Sequence, residues 1–135
     1  MVRVTTEASD VGTPFHRSLG LRWGRSDDGA SVVVSMDMRD DLRGPAGSLE
    51  GGIVSTLVDV AGASAAAMEL GTLVATQNLT VSFLAPGRIG PIRATGSVLR
   101  SGRDDAVTEV RIRDAGNDDR LMAVALVTVR VLRPR

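Results

Sequence analysis

The sequence predicts an α+β domain in which one long apolar helix is wrapped by an antiparallel sheet. Two observations carry this. From Gly51 to Met68 the chain holds a single charge, Asp59, in a run rich in Ala, Gly and Ser that is too long for one strand. After Gly71 the hydrophobic period changes from helical to two, and the strands so marked are joined by short turns, which makes them antiparallel. A helix that is apolar on nearly every face must be covered on most sides, and a twisted, curved sheet can do so.

The elements follow in order. Residues 1–12 read as a polar, loose tail, and 13–135 as one domain. Thr13-Pro14 offers an N-cap followed by proline at the first helical position, opening a short helix that stops at Gly20. Leu21 to Arg25 and Ser31 to Met38 read as two strands joined by Ser26-Asp27-Asp28-Gly29. A loop with Gly44-Pro45 and Gly47 leads into the long helix. Beyond it, Leu79, Val81 and Phe83 alternate with polar neighbours, and Ala85-Pro86-Gly87-Arg88 ends that strand. Ile92, Ala94, Gly96 and Val98 share one face of the next strand, and Thr108, Val110 and Ile112 share one face of its successor. Hairpin turns fall at Ser101-Gly102-Arg103-Asp104-Asp105 and at 114–119. The last strand, Leu121 to Leu132, is apolar on both faces for much of its length, which suggests further burial in an oligomer.

Composition narrows the function. Acidic and basic residues balance at 16 each, giving a formal net charge of zero, and aromatic residues make up 2% of the chain. Neither a basic stripe nor a base-stacking platform is present, so nucleic acid is not an expected partner. Without cysteine there is no thiolate catalysis, which fits a reducing cytoplasm, and one histidine argues against a multi-histidine metal site. The opening residues lack the layout of a signal peptide, and the long helix has a central acid and no basic or aromatic anchors, so no membrane span is expected. The expected location is the cytoplasm.

Asp59 is the most informative residue. A carboxylate in an apolar wrapping costs several kcal/mol unless it is paired, hydrogen-bonded or wet. Catalysis is the leading reason to keep it there.

Around it, Gly47-Ser48-Leu49-Glu50-Gly51-Gly52-Ile53-Val54-Ser55-Thr56-Leu57-Val58-Asp59 resembles the hotdog-fold acyl-CoA thioesterases of the phenylacetate-pathway type. Their signature is a His-Gly-Gly triplet followed by Leu-x-Asp on the central helix. The strand from Thr76 to Pro86 and the later Arg100-Ser101-Gly102-Arg103 support the likeness, which runs from about Thr13 to Val131. The resemblance implies a hotdog fold in dimers or dimers of dimers, with the active site at a subunit interface and no cofactor beyond the coenzyme A of the substrate. It implies Asp59 as nucleophile or as base on a water, Gly51 N–H as donor to the thioester carbonyl, and Thr76 as the residue that steadies water or carboxylate. A helix start suits the Gly51 role, because its free N–H groups favour developing negative charge.

Two positions depart from the pattern. The family histidine is Glu50 here, and the family Asn or Gln fifteen residues before the acid is Gly44. Glu50 either joins the chemistry, coupling with Asp59 across subunits, or points to solvent at the helix start. Gly52 and Asn78 are further candidates for substrate contact, and Arg88, Arg100 and Arg103 for the coenzyme A phosphates. His16 reads as a surface or interface residue. Trp23, Phe15 and Phe83, with Met36, Met38 and Met68, read as core, with acyl-pocket lining as the alternative. The expected activity is hydrolysis of an acyl- or aroyl-CoA; the rival is a hotdog protein that binds an acyl ligand without turning it over.

Overall fold

The computed structural model describes residues 2–4 and 12–133. Seven strands form one antiparallel sheet: β1 (Val2–Val4), β2 (Arg22–Ser26), β3 (Val32–Met36), β4 (Val74–Phe83), β5 (Ile92–Ser101), β6 (Asp105–Asp114) and β7 (Arg120–Val131). Their spatial order is β1-β2-β3-β5-β6-β7-β4. A short helix α1 (Pro14–Ser18) precedes β2, and the long helix α2 (Gly51–Leu70) packs on β3 to β7. This is the expected hotdog arrangement. One expectation changes: Val2–Val4, read as loose tail, pairs with β2 as an edge strand. Residues 1 and 5–11, the rest of the expected tail save Gly12, lie outside the described residues.

Helix and sheet are brought close by two glycines. A Cβ on Gly62 of α2 would stand 2.6 Å from Val127 Cγ2, and one on Gly96 of β5 would stand 2.4 Å from the Ala61 carbonyl oxygen. Neither contact is tolerable, so any side chain at either position would force helix and sheet apart. Leu57, Val58, Ala61 and Ala66 are fully buried beneath them, against Val34, Ile92, Val110 and Val127. Leu57→Ala at this seam removes contacts worth about 2–5 kcal/mol. α2 is long and apolar enough to span a membrane, and its packing on the sheet accounts for that composition.

α1 is capped as its sequence suggests, although histidine takes the part of the usual Glu. Thr13 Oγ1 accepts the His16 N–H at 3.3 Å, and His16 Nδ1 accepts the Thr13 N–H at 3.2 Å.

Several expected core residues lie at the surface. Phe15, Phe83 and Met68 are 53%, 58% and 45% exposed, whereas Met36 is fully buried and Trp23 and Met38 are half-buried. Phe83 sits on β4, which closes the sheet at one edge and has a neighbour on one side only. Phe15 projects from a helix too short to bury a face.

Candidate active site

Asp59 lies midway along α2 and is half-buried. The Thr76 hydroxyl donates to its Oδ1 at 2.6 Å, so the two residues paired from the sequence do meet. Among the described residues Oδ2 has no partner. Thr76 is placed by a β-bulge: the pairing of β4 with β7 shifts between Thr76 and Asn78. Thr76 pairs with buried Val129 and so faces α2, whereas Asn78 pairs with Thr128 and takes no part in the Asp59 cavity. That cavity, of about 400 Å³, is lined by Asp59 and Thr76 together with Trp23, His16, Ser64 and Val60. The single histidine, expected at a surface or interface, shares a cavity with the acid, because the Thr13–His16 cap turns its ring toward Trp23 at 5.8 Å between centroids.

The start of α2 builds a second cavity, of about 320 Å³, where Gly51 faces Phe83 and Gly87. The first intrahelical bonds go to the Glu50 carbonyl, and among the described residues neither the Gly51 N–H nor the Gly52 N–H has an acceptor. Both are free to meet a substrate oxygen. Gly51 and Asp59 stand eight residues apart, about 12 Å along the helix, and line different cavities. Within one chain the two cavities are therefore separate.

Glu50 occupies the N-cap position, is exposed, and makes no side-chain cap. Its carboxylate folds back over Gly44: a Cβ at Gly44 would stand 2.9 Å from Glu50 Oε2. Glu50 and Gly44 are thus coupled in space, since a side chain at Gly44 would compete with the Glu50 carboxylate.

The three arginines do not converge. Arg88 belongs to the loop beside the helix start, and its carbonyl accepts from Arg43 Nη2 at 3.3 Å. Arg100 lines a separate cavity near the far end of α2 with Arg25 and Met68, and pairs with Asp105 at 3.4 Å. Arg103 is exposed in the adjacent turn.

One residue of consequence is marked in the sequence only as part of a turn. Asp114 is completely buried, and its carboxylate accepts the N–H groups of Arg88, Ile89 and Gly90 at 2.8, 3.1 and 2.7 Å. Burial pushes this carboxyl up, but the backbone donors outweigh it and hold it below the ordinary carboxylate range. The loop so fixed supplies the Gly87 carbonyl to the Leu49 N–H at 2.9 Å, and Leu42 supplies its carbonyl to the Glu50 N–H at 2.9 Å. These bonds hold the helix entrance from both sides. An Asp ahead of a turn is ordinarily solvated, so the sequence offered no signal for this role.

Comparison with known proteins agrees with the geometry. The profile of the thioesterase superfamily matches residues 46–121. A Saccharolobus solfataricus protein named as a candidate esterase is 33% identical over 105 residues, which span 77% of this chain and 74% of that one. A solved structure described as a protein from the thioesterase superfamily is 31% identical, with a TM-score of 0.79 and 90% of each chain covered. A Bacillus halodurans protein solved with CoA has the same fold, with a TM-score of 0.84 at 22% identity over 96% of this chain and 85% of that one. The superfamily and the curated relative place the chemistry with thioesterases and esterases. With more than half its length matched and its long helix wrapped as described, the chain belongs to the thioesterase superfamily and has its hotdog fold.

Proposed function

We propose that the protein hydrolyses an acyl-CoA or aroyl-CoA thioester at a site shared by two copies of the chain. The observation that carries this reading is the Thr76–Asp59 hydrogen bond beside a cavity, which leaves one carboxylate oxygen uncommitted. Asp59 either attacks the thioester carbon itself or takes a proton from the water that does. In the first route the C–S bond breaks as an acyl–Asp59 anhydride forms, which a water then hydrolyses. In the second, water displaces the thiolate directly, and in both CoA leaves as its thiol and the acyl group as a carboxylic acid. Thr76 orients the acid, and Gly51 N–H, with Gly52 beside it, receives the carbonyl oxygen as charge develops on it. Arg88 stands nearest the helix start and is the favoured contact for a CoA phosphate; Arg100 and Arg103 would serve only from another subunit.

Two copies are needed because Gly51 and Asp59 of one chain are too far apart to act on one thioester. β4 offers the means. It is an edge strand of ten residues without a charge or a proline, the kind of edge that soluble monomers usually protect. Antiparallel pairing of β4 with its copy about Leu79 would set Thr76 opposite Ser82 of the partner subunit. Asp59 would then approach Phe83 of the partner subunit, next to the free N–H groups of the partner's helix start. The dimer would also cover the exposed Phe83 and Leu84.

A panel of short, long and aromatic CoA thioesters, read with a thiol-detecting dye, tests the proposal. The expected result is CoA release by the wild type and a loss of at least ~10³-fold in Asp59→Asn. Release undiminished in Asp59→Asn would overturn it. The second reading, an acyl binder without turnover, is favoured by the Glu50 carboxylate beside the proposed oxyanion site, and silence across the whole panel with retained ligand binding would select it.

A further inference from the structure

We propose that Arg43 is a positioning residue for the hydrolysis: its guanidinium straps the loop before α2 to the loop after β4. The strap holds the Gly51 and Gly52 N–H groups where a carbonyl oxygen can meet them. This deepens the hydrolase reading and rests on it for the reaction that is served. Arg43 uses three faces of one planar group. Its Nε donates to Asp40 Oδ1 at 3.0 Å, Nη1 to the Gly47 carbonyl at 2.7 Å, and Nη2 to the Arg88 carbonyl at 3.3 Å. The Asp40 side chain is 98% exposed, so the ion pair alone gives little reason to hold the arginine there. A helix start does not favour a cation either, since the dipole there attracts anions. The two carbonyl bonds remain, and the second joins residues 45 positions apart in the chain.

The strap completes a frame around the helix entrance. The 43–49 segment folds on itself: Arg43 and Leu49 form a β-bridge, and the Gly44 N–H reaches the Ser48 carbonyl at 2.8 Å. Leu49 N–H then bonds the Gly87 carbonyl at 2.9 Å, which is one link between the two loops. Gly47 to Arg43 to Arg88 is a second link beside it. A turn held at one point can pivot about that bond, whereas one held at two cannot. Gly51 and Gly52 follow directly, so the second link fixes the direction in which their N–H groups point. Donors aimed in advance at a developing oxyanion act on the rate far more than on ground-state binding. Arg88 is also held from its other side, because Asp114 takes its N–H at 2.8 Å. Loss of Arg43 therefore leaves Arg88 and its phosphate contact in place. Lysine is no substitute, since a single point charge cannot serve Gly47, Arg88 and Asp40 together.

The test follows wild type, Arg43→Gln and Arg43→Lys in turnover of phenylacetyl-CoA and octanoyl-CoA, and in amide hydrogen exchange of the free protein. The expected result in both variants is a kcat lowered about tenfold or more, with KM within about twofold of wild type. Exchange at the Leu49 and Glu50 amides should quicken about tenfold or more, while Val110 and Val127 in the core keep their wild-type rates. Arg22→Gln is the matched control. The Arg22 side chain is 31% exposed against 30% for Arg43 and pairs with Asp37 at the same 3.0 Å, but among the described residues it donates to no carbonyl. It should match wild type in both measurements. Unaltered exchange at Leu49 and Glu50 in Arg43→Gln, an unaltered kcat, or full activity in Arg43→Lys would overturn the inference. Wild type that releases no CoA, with exchange quickened in Arg43→Gln, would overturn the hydrolase reading and leave the strap standing.

Discussion

Two carboxylates in this molecule have opposite surroundings. Asp114 is sealed at the end of β6, and its oxygens are taken up by the N–H groups of Arg88, Ile89 and Gly90. Asp59 is half-buried, takes one hydroxyl bond from Thr76, and borders a cavity. An acid whose lone pairs are all engaged by backbone is a structural joint, because any reaction there would first break the loop it holds. An acid with an oxygen left over beside open space can meet a substrate. The contrast distinguishes the two where residue type does not, and it also shows their dependence: the Asp114 joint fixes the loop against which Leu49 and the helix entrance rest.

The largest effect is expected from the same isosteric change made at both acids. Asp114→Asn should lower stability by about 2–4 kcal/mol, since a neutral amide keeps one acceptor oxygen for several donors and adds an unmatched N–H₂. In a scan this is a fall on the order of 10 °C, whereas Asp59→Asn should melt within a few degrees of wild type. Equal losses would mean that Asp59 is structural as well.

Acid titration sharpens the same contrast. The folded Asp114 carboxyl lies below its ordinary value of about 3.9, so its contribution is fully present above that pH and is lost as pH falls through the lower folded value. Denaturation profiles of Asp114→Asn should therefore lose part of the wild-type slope below about pH 4. A slope identical to wild type would remove Asp114 from the acid limb.

Smaller effects test the neighbours of Asp59. Thr76→Val removes the 2.6 Å hydrogen bond while keeping the shape of the side chain. Turnover should fall roughly 10–100-fold with little change in melting temperature, as expected of a group that orients the acid. A KM effect alone would assign Thr76 to binding. The smallest change is Gly44→Ala, whose Cβ would displace the Glu50 carboxylate. Stability should shift by no more than about 1 kcal/mol, because both residues reach solvent. Turnover should change in the same direction as in Glu50→Gln, and opposite changes in the two variants would separate the two positions.

Much of this is legible in the amino-acid sequence itself. The change of period at Gly71, the uncharged helix around Asp59 and the Gly51-Gly52 entrance belong to local sequence, and local sequence sets helix, strand and cap by short-range sterics and hydrogen bonding. The differences have a common cause. Phe83 and Phe15 look like core by residue type, but strand order leaves β4 at an edge and α1 has no buried face. His16 and Ser64 face Asp59 only because α1 and β2 lie across that stretch of α2, and Asp114 reaches the 88–90 loop only across the sheet end.

The amino-acid order by itself determined one wrapped helix, its acid and its free N–H start, because each follows from neighbours within a few positions along the chain. The tertiary structure alone decided which acid keeps an oxygen free, that Gly51 and Asp59 line separate cavities, and that the Glu50 carboxylate stands over Gly44. Those outcomes depend on residues tens of positions apart meeting at hydrogen-bond distance, and the packing of helix against sheet sets such meetings.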